Sequence, residues 1–109
     1  MTARLSIYNP ETLGKPLGQY THVTRVRADE FLFVAGMLSA DAQGHVVGAQ
    51  DFDAQCRQVF ANVHAALQSA GASWKNVFPD GVYPPNTLLI VDRLVQEPFL
   101  VEVQTIAAV

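Results

Sequence analysis

The chain has 109 residues, half of them hydrophobic and 16% charged, with a formal net charge of −3. This composition is typical of a folded protein and predicts a single domain spanning residues 1–109. Lys and Arg total seven and form no cluster, which argues against nucleic-acid binding because that binding depends on neutralising phosphates. The N-terminus lacks a signal-peptide pattern and no apolar run is long enough to span a membrane, so we expect a cytoplasmic protein with no membrane partner.

The first half of the chain predicts several short strands. Residues 5–8 could form one, and residues 20–27 mix β-branched and polar side chains, as a strand with one wet face does. Residues 31–36 are a continuous apolar run, consistent with a strand buried on both faces, and these last two strands together predict a hairpin. A turn at residues 41–44 precedes a short strand around residues 45–47.

The clearest element is a helix over residues 51–70. Its apolar residues recur at the helical period and form one stripe: Phe52, Cys56, Val59, Phe60, Val63, Leu67 and Ala70. Asp51 is a candidate N-cap and Gly71 a candidate C-terminal stop. We interpret Cys56 as a core residue rather than a reactive thiol, and His64 as a solvated residue beside the stripe rather than a ligand. The scattered His and Cys residues give no metal motif, so we expect no metal.

The C-terminal residues 84–107 read as two buried strands joined by a short turn, and Glu102 lies in the middle of the second strand. A charge inside an apolar strand is costly unless it is paired or used in function. Glu102 is therefore the first candidate for a functional residue. The alternative is a structural carboxylate paired with Arg93 or with an arginine of a neighbouring subunit.

The predicted elements number five or six strands and one helix. One helix covers only a small part of such a sheet, because packed helices lie about 10 Å apart. Either the remaining apolar face meets other subunits, or part of the helical layer is missing from this sequence.

Several short motifs follow one another along nearly the whole chain. They are Gly18-Gln19-Tyr20, Phe33-Val34-Ala35-Gly36-Met37, Gly44, the helical stretch at residues 51–62, Ala70-Gly71-Ala72-Ser73-Trp74-Lys75-Asn76-Val77, Pro84-Pro85-Asn86-Thr87, Arg93-Leu94 and Val101-Glu102-Val103-Gln104-Thr105-Ile106-Ala107. Each motif is only moderately specific, but in this order they resemble the RidA/YjgF family of reactive-intermediate deaminases.

The resemblance implies an α/β (α+β) fold of the trimeric chorismate-mutase type, in which a mixed sheet carries helices on one face. It also implies a homotrimer with a small-molecule cleft at each subunit interface. Family members with the full motif hydrolyse enamines and imines released by pyridoxal-phosphate enzymes to a keto acid and ammonia, and they need no cofactor. We therefore expect no cofactor here.

The resemblance also assigns roles to particular residues. Glu102 would be catalytic, orienting or activating a water molecule. His22 shares a strand face with Tyr20 and could assist proton transfer, although we interpret it as structural or exposed. Five residues would bind the substrate: Tyr20, Ala35, Gly36, Met37 and Asn86. Ala35 stands where the family usually has serine, so residues 35–37 would act through their main chain.

Two departures from the family pattern bear on function. The family carries a strand–helix unit between the positions of Val77 and Pro84, and here residues 77–81 bridge that gap directly. The unit is either deleted or absent only from the given sequence, and we favour the second because losing it would expose core on both sides. The family's substrate-binding Arg is Asn86 here, and losing a charge-assisted bond should weaken carboxylate binding roughly 10- to 100-fold.

Three functions follow for testing. The first is a cofactor-free hydrolase or deaminase acting on a small imine, enamine or related metabolite. The second is a non-catalytic small-molecule-binding or regulatory trimer, which the neutral Asn86 favours. The third is a ribonuclease or translation inhibitor, which the acidic charge balance disfavours.

Overall fold

The computed structural model describes residues 3–79 and 81–109. Within them the chain forms four strands, one α-helix and two short 3₁₀ turns. The longer elements, in chain order, are β1 (Arg4–Tyr8), β2 (Val23–Arg27), β3 (Phe31–Met37), α1 (Phe52–Ser69) and β4 (Val103–Ala108). This arrangement confirms the α+β class, with the helix packed on one face of a sheet.

The strands form two antiparallel pairs rather than the predicted hairpin between residues 20–27 and 31–36. β1 pairs with β2, and β3 pairs with β4. The reason lies in the connection between β2 and β3, whose backbone bonds to the end of the chain. The N–H groups of Asp29 and Glu30 both donate to the Val109 carbonyl at 3.0 Å, and the Val109 N–H donates to the Glu30 carbonyl at 2.9 Å. These bonds hold the start of β3 beside the end of β4, where Phe31 pairs with Ala108.

The helix α1 forms where its periodicity predicts, and it supplies three of the buried apolar side chains, Val59, Val63 and Leu67. The Asp51 carboxylate accepts the Ala54 N–H at 3.1 Å, as expected of an N-cap. Gly71 follows the helix at φ 73°, a conformation that suits glycine. Val63 and Leu67 are fully buried against strand residues that include Val34 and Ala107.

The outer part of the predicted apolar stripe does not lie in the core. Phe52 and Phe60 are exposed, so the stripe is narrower than predicted. Phe60, Trp74 and Phe78 line an open apolar groove on this side of the helix. His64 is not a solvated residue as predicted, because its ring is half-buried and stacks on Trp74 at an interplanar angle of 15°.

The segment between β3 and α1 contains the predicted turn. One oxygen of the Asp41 carboxylate accepts the N–H groups of Gln43 and His45, both at 2.9 Å. The predicted strand around residues 45–47 is reduced to an isolated bridge between Ala40 and Val46. Ser39, which is fully buried, closes this loop by donating its hydroxyl to the Val47 carbonyl.

The prediction of two buried strands over residues 84–107 is half wrong. β4 is the second strand, but residues 84–102 contain no strand. The apolar run at residues 88–91 is exposed, and Ile90 is 99% accessible. A strand needs an edge to pair with, and the described part of the chain offers no third strand beside β4. Beyond the second 3₁₀ turn, the Val82 N–H donates to the Pro79 carbonyl.

Candidate functional site

The β3–β4 pair contains a bulge at the residues predicted to bind substrate. Val34 pairs with Thr105 and Met37 pairs with Val103, so three steps along β3 face two steps along β4. β3 therefore carries one extra residue, at Ala35 or Gly36. An extra residue interrupts the ladder and redirects backbone groups, and such bulges are frequent next to active sites.

Glu102 lies opposite this bulge, immediately before β4. Its side chain packs over Gly36 so closely that a Cβ at Gly36 would lie 2.8 Å from Cδ and 3.0 Å from Cγ of Glu102. Such distances are within van der Waals overlap, so only glycine leaves room for the carboxylate. The fold thus brings together the predicted catalytic residue and the predicted main-chain binding segment. We define this group, Ala35, Gly36, Met37 and Glu102, as the bulge site.

The environment of Glu102 differs from the prediction. Glu102 is exposed and precedes the strand, rather than lying buried in its middle. The predicted cost of burying the Glu102 charge therefore does not arise in this chain. The alternative role in an ion pair with Arg93 is not seen in the described residues either. Arg93 instead lines an open cleft of about 300 Å³ with Glu97 and Phe99, and Glu102 is not part of that lining.

The segment that leads into Glu102 is anchored by a residue that sequence reasoning missed. Gln55, in the first turns of α1, is fully buried. Its side-chain amide donates to the carbonyls of Gly48 at 3.1 Å and Pro98 at 2.8 Å, and its oxygen accepts the Leu100 N–H at 2.9 Å. The sequence did hold a signal for this role. Gln55 lies at helical spacing from the buried residues of α1, and a buried amide needs hydrogen-bond partners.

Tyr20 and Asn86 belong to a second group, near the β1–β2 sheet. The Thr21 N–H donates to the Pro84 carbonyl at 3.2 Å, which brings the chain beside Tyr20 to within two residues of Asn86. The Tyr20 hydroxyl accepts the Leu17 N–H at 3.3 Å, and Asn86 is exposed. Among the described residues, no hydrogen bond, ion pair or ring contact joins this second group to the bulge site, so one chain presents two separate halves.

His22 packs beside Tyr20 in this second group. The two rings meet edge to face with centroids 6.0 Å apart. The His22 N–H of the main chain donates to the Asn9 side chain at 2.9 Å, while its Nδ1 is buried without a partner in the described residues.

Neither a metal cluster nor a membrane-crossing helix is found in the described ranges. No group of three or more His, Cys, Asp or Glu side chains within residues 3–79 and 81–109 is placed to hold a metal ion. Over the same residues, no helix combines the length and apolar character needed to cross a membrane. The bulge site itself presents the Glu102 carboxylate beside the main chain of Gly36.

Comparison with known proteins decides the family. The model of a family described as Endoribonuclease L-PSP matches residues 11–83. This chain belongs to that family, the RidA/YjgF family. A solved Rid-family structure, YyfB from Yersinia pestis, described as of unknown function, matches 100% of both chains with a TM-score of 0.83. At 24% identity this likeness shows the fold alone, and it agrees with the chorismate-mutase-like architecture expected from the sequence.

Several relatives match over about two thirds of this chain. A RutC family protein of Synechocystis is 36% identical over 69 residues, which is 62% of this chain and 52% of the relative. A RutC family protein of Pyrococcus horikoshii is 36% identical over 73 residues, 67% of this chain and 56% of the relative. The 3-aminoacrylate deaminase RutC of Acinetobacter baylyi is 37% identical over 68 residues, 62% of this chain and 52% of the relative. The chain thus spans about half the length of these relatives.

Proposed function

We propose that this Rid protein is a cofactor-free deaminase that hydrolyses a small imine or enamine at the bulge site. The observation that carries the proposal is the Glu102 carboxylate packed over the Gly36 bulge. The deaminase among its relatives acts on 3-aminoacrylate according to its name. Hydrolysis of an imine consumes one water, forms a carbonyl and releases ammonia, so it requires a positioned base rather than a redox or group-transfer cofactor.

In this mechanism Glu102 orients the attacking water and accepts one of its protons. The water oxygen adds to the carbon of the protonated imine and gives a neutral carbinolamine. The proton held by the carboxylate then passes to the nitrogen, and the C–N bond breaks with its electron pair leaving on ammonia. As the carbonyl forms, the carbinolamine hydroxyl loses its proton to Glu102. Such proton transfer by a positioned side chain contributes about 10²- to 10⁴-fold to the rate. Ala35 offers no hydroxyl, so main-chain groups of residues 35–37 hold the substrate.

The second group would complete the pocket. Tyr20 forms an aromatic wall, and Asn86 supplies a neutral hydrogen-bonding amide where deaminases of the family carry Arg. Because Asn86 adds no positive charge, the preferred substrate is an imine whose recognition does not depend on a carboxylate.

A homotrimer would join the two halves. The face of the β3–β4 sheet opposite α1 exposes large apolar side chains, among them Phe33 at 75% and Ile106 at 55%. Apolar faces of this kind are typical of subunit interfaces. Docking three such faces would bring the bulge site of one subunit toward Tyr20 and Asn86 of the next. A cytoplasmic location completes the proposal.

The experiment measures ammonia release from freshly generated 3-aminoacrylate and from an imine without a carboxylate. We expect wild-type protein to accelerate release from the uncharged imine and Glu102→Gln to lose at least 100-fold of that acceleration. Glu97→Gln is the matched control, because Glu97 is an exposed carboxylate in the separate cleft. Equal rates for Glu102→Gln and wild type would remove Glu102 from the mechanism.

The second candidate is a non-catalytic small-molecule-binding trimer. Asn86 favours it, because a neutral residue at this position weakens substrate carboxylate binding. Calorimetry with the carbonyl product of the uncharged imine, run beside the ammonia assay, separates the two functions: binding without turnover supports the second. The ribonuclease named in the family description is disfavoured, because net charge −3 and scattered Lys and Arg residues offer little attraction for RNA.

A further inference from the structure

We propose that Gln55 is a positioning residue that holds Glu102 over the Gly36 bulge. The catalytic part of this inference rests on the proposed function, whereas its structural part does not. The hydrogen bonds of the Gln55 side chain go to Gly48, Pro98 and Leu100, not to residues of the bulge site. It acts through the segment at residues 98–102, whose course it determines.

The nitrogen and the oxygen of the Gln55 side-chain amide both have hydrogen-bond partners. The two N–H bonds of Nε2 go to the Gly48 and Pro98 carbonyls, and Oε1 takes the Leu100 N–H. Both partners on the later segment lie 43 to 45 residues away in sequence, so these bonds are tertiary rather than helical. With 0% exposure, the amide has no water to replace a lost partner.

The anchored segment is short and ends at the site. Phe99, between the two bonded residues, is buried, and Glu102 follows Leu100 by two positions. The chain before this point is exposed, including the run at residues 88–91. Gln55 is therefore where the chain becomes fixed before it reaches Glu102. A shift of the Leu100 backbone would move the carboxylate relative to the bulge.

Only an amide of this length satisfies all three partners. Glutamate keeps an acceptor for the Leu100 N–H but loses both donors and faces two carbonyl oxygens with a negative charge. Methionine keeps the unbranched shape and loses every hydrogen bond. The pair Gln55→Met and Gln55→Glu therefore removes the anchor in two different ways, and either variant that folds is informative.

Asn76 provides the matched control. Its side-chain amide donates to the Ala108 carbonyl at 2.8 Å, so it anchors the far end of β4 as Gln55 anchors the near side. Asn76→Leu also removes a part-buried amide hydrogen bond to the same stretch of chain, but six residues beyond Glu102. We expect Asn76→Leu to lower stability without changing catalysis.

The kinetic test is a double-mutant comparison. We expect the Gln55 variants to lower kcat about 10- to 100-fold with KM within threefold, since misplacing a catalytic group by about 1 Å costs on this order. In a Glu102→Gln background the same change should cause no further loss, because Gln55 acts through Glu102. An equal fold loss in both backgrounds would show a general structural role and overturn the inference.

A spectroscopic test works without turnover. The ¹³C resonance of the Glu102 carboxylate, assigned by its loss in Glu102→Gln, should shift or broaden in the Gln55 variants and stay in place in Asn76→Leu. An unmoved resonance in the Gln55 variants overturns the inference. If the wild type releases no ammonia, the proposed function fails, and this resonance still decides whether Gln55 positions Glu102.

Discussion

The carboxylate of Glu102 occupies the space that a side chain at Gly36 would need. The two residues are 66 positions apart in sequence. The Glu102 side chain can lie where it does only because Gly36 has no Cβ. The first prediction follows directly from this relationship.

Gly36→Ala should disable the site without unfolding the protein. The overlapping atoms are the end of an exposed, flexible side chain, so Glu102 can swing away, and the free energy of unfolding should fall by less than about 1 kcal/mol, below the usual cost of overpacking. The displaced carboxylate should reduce ammonia release to the level of Glu102→Gln. Urea unfolding and the ammonia assay measure the two effects.

Gly18→Ala serves as the stability control for this change. A Cβ at Gly18 would meet the Tyr20 ring at an ordinary 3.7 Å, so no displacement is needed. Full activity in Gly36→Ala would mean that the carboxylate is not required where it now lies.

Asn86→Arg should restore binding of carboxylate-bearing imines. An Arg–carboxylate pair can form two parallel hydrogen bonds, and a charge-assisted bond contributes about 1.5–3 kcal/mol. We expect kcat/KM for 3-aminoacrylate to rise about 10- to 100-fold, with little change for an imine that lacks the carboxylate. Asn86→Gln, equally neutral, should leave both values unchanged. A gain for both substrates would point to an effect other than carboxylate recognition.

Leu67→Ala should be among the most destabilising single changes in α1. Leu67 is fully buried among Val34, Val63, Ala72 and Ala107, and a Leu-to-Ala truncation in such a core costs about 2–5 kcal/mol. Leu17→Ala is the control: Leu17 is 98% exposed, and its loss should stay within about 0.5 kcal/mol. Urea midpoints with unchanged slopes give both values, and a loss below 1 kcal/mol for Leu67→Ala would contradict this packing.

Asp51→Ala should remove the N-cap of α1 and cost about 1 kcal/mol of folding free energy. The carboxylate accepts the Ala54 N–H, and no other side chain in the described residues is recorded as capping this helix. Asp51→Asn keeps a capping oxygen and should retain most of the stability. Thermal unfolding of the two variants side by side distinguishes the lost cap from the lost charge: equal losses would indicate that charge, not capping, matters.

The sequence correctly predicts elements that are stabilised by contacts within one short segment. The predictions fail for elements whose structure depends on pairing with a distant segment of the chain. The α1 period, the Asp51 cap and the Gly71 stop are all encoded within 21 residues, and each is confirmed. The run at residues 88–91 has the composition of a buried strand, yet hydrophobicity predicts only that a segment favours burial, not that an edge exists to receive it. The predicted β2–β3 hairpin does not form for a similar reason. The backbone of Asp29 and Glu30, between the two strands, forms hydrogen bonds with Val109.

The sequence and the structure single out Glu102 for different reasons. The sequence predicts a buried charge, but Glu102 is exposed, and in the structure it lies beside the bulge at Ala35 and Gly36. A bulge depends on how two distant strands register, which no local pattern reveals. Gln55 was missed because a polar residue in an apolar stripe has no evident partner until residues 98–100 are folded against it.

The groove beside α1 gives the protein a built-in optical reporter. Trp74 is the only tryptophan in the chain, and its ring lies between Phe60, His64 and Phe78. Indole emission moves to shorter wavelength when water leaves the ring. The emission maximum therefore reads, without any label, whether a further layer of protein covers this side of the helix.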